Sequence, residues 1–183
     1  MTEKISRADQ KRSQIVAAGQ ALFLRNGFRG TTMEAIAREA GVAKPTLYGY
    51  FPDKEAVFVG VMAQLVEQMR GKVIEQLQRD GEVAGRITAA LIAKTRVVRD
   101  LLAESPHADE LYGQKWAGAE EGIAGFETWL EGEIAKALEA DGRPKPDYLA
   151  WLIFACAEGI AKKTRKSEEY APAIEFMVGR LLG

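Results

Sequence analysis

Three helix breaks crowded into the N-terminal part of the chain, at Gly27, Gly41 and Pro52, constrain its fold more than any other feature. A first helix is predicted from about Arg7 to Asn26, with Ile15, Ala18, Gly19 and Leu22 on one stripe and Phe23 beside it. Thr32 is placed to cap a second helix, Met33 to Ala40, whose apolar positions are Met33, Ile36, Ala37 and Ala40. A third, about Lys44 to Tyr50, must be very short, because Pro52 and the N-cap candidate Asp53 open the next one.

Helical periods continue to the C-terminus, and no alternation of period two competes with them. A fourth helix is expected from Lys54 to about Asp80. A fifth follows Gly81 and carries Ile87, Ala90, Leu91, Val97, Val98, Leu101 and Leu102 until near Glu104. Ser105 and Pro106 read as N-cap and first residue of a sixth. Further helices are expected at about Ala119 to Ala140, Pro146 to Lys163 and Ala171 to Leu182, separated by Asp141-Gly142-Arg143-Pro144 and by Arg165 to Glu169. The fold class is therefore all-α, with about nine helices. Pro52 divides it into residues 1–52 and a helical body, 53–183.

Composition narrows the function classes. At 183 residues and 47% hydrophobic content the chain can build a real core. A single cysteine, Cys156, cannot form an internal disulfide, and a single histidine, His107, excludes the usual Cys/His zinc site. No metal or cofactor is expected. The N-terminus lacks an apolar signal core, and the longest apolar run, around Leu149 to Ala157, is too short to span a bilayer, so a cytoplasmic protein without membrane contact is expected. There is no Glu-x-x-His pair, no phosphate-binding glycine loop and no second histidine for a catalytic triad, so an enzyme is not expected.

The net charge of −1 hides an asymmetry: through Lys54 nine basic residues stand against five acids, +4, which leaves −5 for the rest. A basic head on an acidic body is compatible with DNA binding by the head. Residues 32 to 50 place a short helix, a tight turn at Gly41-Val42-Ala43 and another short helix in succession, the plan of a helix-turn-helix. Val42 and Leu47 are expected to pack on Ile36 and Phe23, turning the other face of the second short helix toward a major groove.

The stretch from Ile15 to Glu55 resembles the DNA-binding domain of TetR-family regulators. Matching features are Phe23, Gly27, Thr32, Ile36-Ala37, Ala40-Gly41-Val42, Thr46-Leu47-Tyr48, Tyr50-Phe51 and Lys54-Glu55. Two positions depart from the family pattern: Ala43, where relatives usually carry serine or threonine, and Pro45, where they carry a small residue, often glycine. Alanine is a poor N-cap, costing about 1 kcal/mol relative to serine; proline in a first turn loses no intrahelical hydrogen bond. The resemblance implies phosphate contacts from Thr32, Tyr50 and Lys54, and a groove-facing set of Lys44, Pro45, Thr46 and Tyr48, with Gly49 offering no side chain.

The same resemblance implies a ligand-binding and dimerisation body reached through the long fourth helix. Its cavity candidates are Phe58, Met62, Thr95, Arg99, Tyr112, Trp116, Phe126, Trp129 and Trp151. The eighth helix is apolar on nearly every side from Tyr148 to Cys156, which reads as burial all round, one face on its own core and one on a partner. The ninth offers a second seam through Ala171, Ile174, Met177, Val178, Leu181 and Leu182, so a homodimer through the last two helices is expected. Gly118, Gly122, Gly125 and Gly132 form a stripe that reads either as tight helix packing or as the wall of a cavity. His107 is expected to be exposed, Cys156 to be a small buried hydrophobe, and Lys162-Lys163-Thr164-Arg165-Lys166 to be a solvated basic helix end. The expected function is a ligand-responsive repressor that binds a pseudo-palindromic double-stranded DNA operator as a dimer and is released by an unidentified small-molecule effector. The alternative is a helical ligand-binding or scaffolding dimer without specific DNA binding.

Overall fold

The computed structural model describes residues 6–113, 119–164 and 167–183, with side chains for all of them except Tyr112, Gly113 and Ser167. Every regular element among the described residues is an α-helix: α1 (Arg7–Asn26), α2 (Met33–Glu39), α3 (Lys44–Tyr50), α4 (Lys54–Leu77), α5 (Val83–Leu102), α6 (Ala108–Gly113), α7 (Ala119–Ala140), α8 (Pro146–Lys163) and α9 (Ser167–Leu182). They gather into two compact units. One comprises the described residues of Met1–Gln64 and Leu101–Gly122, the other those of Leu65–Asp100 and Ile123–Gly183. This grouping differs from a division at Pro52, because Val57, Phe58 and Val61 of α4 join the core of the first unit.

In the first unit, Ser6 and Asp9 close a reciprocal capping box that starts α1: the Ser6 hydroxyl accepts from the Asp9 N–H and the Asp9 carboxylate accepts from the Ser6 N–H. The stripe read from sequence is the buried one, Ile15, Ala18, Gly19, Leu22 and Phe23, with Val16 added. Gly19 lets α4 approach, since a Cβ there would stand 2.6 Å from Val57 Cγ1. Phe23, Phe28 and Phe58 form a triangle with ring centroids 5.4 to 5.6 Å apart, two of the three pairs edge-on. The Thr32 hydroxyl caps α2 by accepting from the Ala35 N–H. Gly41, at φ +62°, carries the turn, with the Val42 N–H donating to the Ala37 carbonyl. The Asp53 carboxylate accepts from the Ala56 N–H and opens α4.

The second unit is built on Phe126, Leu130, Ile134 and Leu138 of α7, spaced at helical period and essentially solvent-free, against Ile87 and Leu91 of α5, Ile153 of α8 and Ile174 of α9. Burying each such side chain stabilises the fold by about 1.5–3 kcal/mol. Lys145 takes φ +53° immediately before Pro146, which begins α8 where its missing N–H costs nothing. The Arg143 guanidinium ties the α7–α8 turn to the chain end by donating to the Leu182 carbonyl.

Several sequence expectations change here. Helix α9 begins at Ser167, so Pro172 lies inside it and not near its start. Helix α6 begins at Ala108, and the Ser105 hydroxyl, which accepts from the His107 N–H, also donates to the Leu24 carbonyl. The glycine stripe shows no tight packing among the described residues: apart from its own helix backbone, no described atom lies within 4 Å of a Cβ added at Gly122, Gly125 or Gly132, while Gly118 lies outside the described residues. In the single chain helix α8 buries Ala150, Ile153 and Ala157 and leaves Tyr148 and Trp151 58% and 50% exposed.

Candidate DNA-binding surface and ligand cavity

Helix α3 is anchored by Leu47, its one fully buried side chain. Leu47 is completely buried among Phe23, Ile36 and Phe51, with Val42 packed against the same core, whereas Lys44, Pro45, Thr46, Tyr48 and Gly49 are exposed. Ala43 stands at the N-cap without a side-chain hydrogen bond, and Pro45 sits in the first turn. The whole expected groove-facing set is thus exposed to solvent, with hydroxyl, ammonium and apolar ring groups of the kinds that read base edges.

A carboxylate that periodicity within one helix could not have revealed shapes this surface. Lys44 Nζ lies 2.6 Å from Glu34 Oε1 and 5.9 Å from the Tyr48 ring centroid. The hydrogen bond from Lys44 holds the Glu34 carboxyl below its ordinary range, and the same bond raises the Lys44 ammonium above its own. Both groups therefore stay ionised through neutral pH. The pair lies at the surface, with both side chains more than half exposed.

The three expected phosphate contacts have different surroundings. Thr32 is exposed at the α2 N-terminus, the positive end of the helix. Tyr50 is half-buried against the head core. Lys54 is committed to structure: its ammonium donates to the carbonyls of Phe28 and Thr31 at 2.8 and 2.9 Å and lies 4.3 Å from the Phe28 ring centroid.

Sequence reasoning missed the residues that dock α6 on the same unit. Glu110 Oε1 accepts from the Arg29 N–H at 3.2 Å, and its other oxygen lies 3.6 Å from His107 Nδ1. A Cβ at Gly27 would fall 2.4 Å from Glu110 Oε2 and 2.9 Å from His107 Nδ1, so those side chains would have to shift, and the φ of +72° there favours glycine as well. His107 is half-buried, not exposed as expected. The Ser-Pro signal was visible, but its partners lie some eighty residues away in sequence, at Leu24 and Arg29.

The expected ligand-cavity residues divide between the two units. Phe58 is buried in the head core and Met62 packs on it, because α4 needs those positions to cover α1. Phe126 and Trp129 serve the second core; the Arg70 guanidinium carbon lies 4.4 Å from the Trp129 ring centroid, with Arg70 Nε 3.6 Å from Glu67. Trp151 is on open surface, on the side of α8 turned from the core. Trp116 and the Tyr112 side chain lie outside the described residues. Thr95 and Arg99 do share a cavity of ≈ 640 Å³ with Ile92, Arg96, Glu168, Tyr170 and Ala171. Cys156 is half-buried, and the described residues contain no group of three or more His, Cys, Asp or Glu able to hold a metal. No helix among them is long and apolar enough to cross a membrane.

Comparison with known proteins agrees with this geometry. The family model for bacterial regulatory proteins of the tetR family matches residues 15–61, from the buried stripe of α1 into α4. The HTH-type transcriptional regulator RutR of Escherichia coli strain K12 is 30% identical over 195 aligned residues, covering 99% of this chain and 85% of its own. The HTH-type transcriptional repressor KstR of Rhodococcus jostii strain RHA1 is 30% identical over 190, covering 95% and 84%. Among solved structures, a transcriptional regulator from Cytophaga hutchinsonii has the same fold at a TM-score of 0.74 with 21% identity, covering 94% of this chain and 95% of its own. A TetR/AcrR-family regulator from Thermobifida fusca does so at 0.73 with 22% identity, covering 95% and 98%. A head that exposes the second short helix of a helix-turn-helix, followed by a helical body and matched along nearly its whole length by such regulators, places this chain in the tetR family of DNA-binding transcriptional regulators.

Proposed function

We propose that the protein is a ligand-responsive repressor, with residues 1–52 as the DNA-binding part and 53–183 as the ligand-binding and dimerisation part, acting in the cytoplasm where its DNA lies. The observation that carries the reading is the division of α3: Leu47 alone is buried, and Lys44, Pro45, Thr46 and Tyr48 are presented outward together. Thr32, Tyr50 and Lys54 supply phosphate contacts beside them. One short helix reads too few base pairs for useful specificity, so two copies act as a symmetric pair on a pseudo-palindromic operator.

The second copy is recruited through the last two helices. Tyr148 and Trp151 on α8 and Phe176 on α9, 68% exposed, are large apolar side chains that a single chain leaves in water. Burying them against the same surface of a twofold-related copy removes that cost without a different partner. Release then follows if an effector binds the body more tightly in an arrangement that spaces the two heads wrongly for the operator. Helix α4 transmits the change, being continuous from the head core at Val57 to the body core at Val73. A decisive shift requires about 5 kcal/mol of differential binding.

The test is selection of bound sequences from random DNA, repeated with candidate small molecules. Enrichment of a palindrome, lost with one of the molecules, is the expected result. Enrichment of no palindrome would overturn operator recognition, and an operator complex that survives every molecule would overturn the effector.

A further inference from the structure

The cavity between α5 and α9 combines a size suited to a small ligand with a positively charged lining. Its ≈ 640 Å³ falls within the range of small-molecule sites. Arg96 and Arg99 stand three residues apart on α5, so both guanidinium groups reach the same wall. Glu168 is the carboxylate on the lining, and Ile92, Ala171 and the buried Tyr170 supply apolar surface. The Arg99 guanidinium carbon lies 5.0 Å from the Tyr170 ring centroid, an arrangement that restrains the plane of the group. Arginine stays protonated in any such recess, so it selects its occupant by charge and by its fork of N–H donors, which matches a carboxylate in bidentate fashion.

We propose that this cavity is the effector site and that the effector class is a small organic carboxylate, its anionic end held by Arg99 and Arg96 and its apolar part lying against Ile92, Ala171 and the Tyr170 ring. The assignment rests on the reading of the protein as ligand-responsive. It excludes organic cations, which the two guanidinium groups repel. Thr95, whose hydroxyl donates to the Leu91 carbonyl, offers its oxygen lone pairs and methyl group to the cavity and discriminates little between anions.

The test is thermal unfolding of the full-length protein with matched pairs of probes: butyrate, hexanoate, benzoate, phenylacetate and salicylate, each beside its neutral amide. At about a hundred times its Kd, a carboxylate that fits raises the melting midpoint by about 5 °C. Its amide does not. The shift, measured against each variant's own midpoint, is abolished in Arg99→Gln, reduced in Arg96→Gln and partly restored in Arg99→Lys. The assignment is overturned if no carboxylate shifts the midpoint, if amides shift it equally, or if Arg96→Gln plus Arg99→Gln keeps the shift. Gel shift with the selected operator separates this from the broader reading. Operator release by a neutral or cationic molecule, with carboxylates inert, sinks the cavity assignment and leaves a ligand-responsive repressor. Carboxylate binding that needs Arg99 but never weakens the operator complex keeps a carboxylate site and refutes its effector role.

Discussion

Helices α3 and α8 both leave side chains in water, and they do so for opposite reasons. On α3 the exposed groups include the charged Lys44 and the hydroxyl-bearing Thr46 beside the Pro45 and Tyr48 rings, so much of that surface is polar, which water solvates well and which nucleic acid can also satisfy. On α8 they are Trp151 and Tyr148, mostly apolar surface that water solvates poorly. The first surface is stable alone and available for a partner that comes and goes. The second favours a lasting partner, the behaviour of a subunit interface. Exposure by itself therefore identifies neither surface; the chemistry of what is exposed separates them.

That contrast can be broken most forcefully at α8 and α9. Trp151→Glu combined with Phe176→Glu places carboxylates on the apolar face, and self-association measured by sedimentation is expected to weaken by a factor on the order of a hundred or more. Unchanged association would remove the last two helices as the dimer seam. The next largest effect is expected at the anchor of α3: Leu47→Ala lowers stability in urea unfolding by about 2–5 kcal/mol, since the side chain is fully enclosed. A loss below 1 kcal/mol would mean that α3 is held from elsewhere.

Lys44→Ala with Tyr48→Ala tests the opposite surface. Folding should be nearly untouched, while operator affinity in a gel shift falls about tenfold to a hundredfold. Equal affinity would sink this face as the reading surface. The smallest effects sharpen the comparison. Ala43→Ser supplies the absent N-cap and should raise stability by about 1 kcal/mol. Gly132→Ala, in a helix interior where no described atom crowds the new methyl group, should raise it by about 0.5–1 kcal/mol. If Gly132→Ala is destabilising instead, something does approach α7 closely there.

Much of the head was legible before any coordinates. Gly27, Gly41 and Asp53 stop or start helices as expected, because positive φ and side-chain capping are local properties of one residue and its neighbours. The buried stripe of α1 and the burial of Leu47 followed from helical period. The start of α9 did not: a break at Arg165 to Glu169 and a helix from about Ala171 were expected, yet the helix runs back to Ser167, and Tyr170 in that added turn is buried in the second core. The cavity was legible only in part, as Thr95 and Arg99, since its other wall comes from α9.

Residue order alone determined an all-helical chain, its breaks, and a helix-turn-helix whose recognition helix lacks a good N-cap. Tertiary packing decided what each long-range neighbour does. It set Glu34 against Lys44, turned Lys54 toward the Phe28 and Thr31 carbonyls, docked Glu110 beside Gly27, and left Trp151 outside while Phe126 went inside. The physical reason is that helical period specifies which side chains share a face, whereas the identity of whatever meets that face depends on segments far away in the chain.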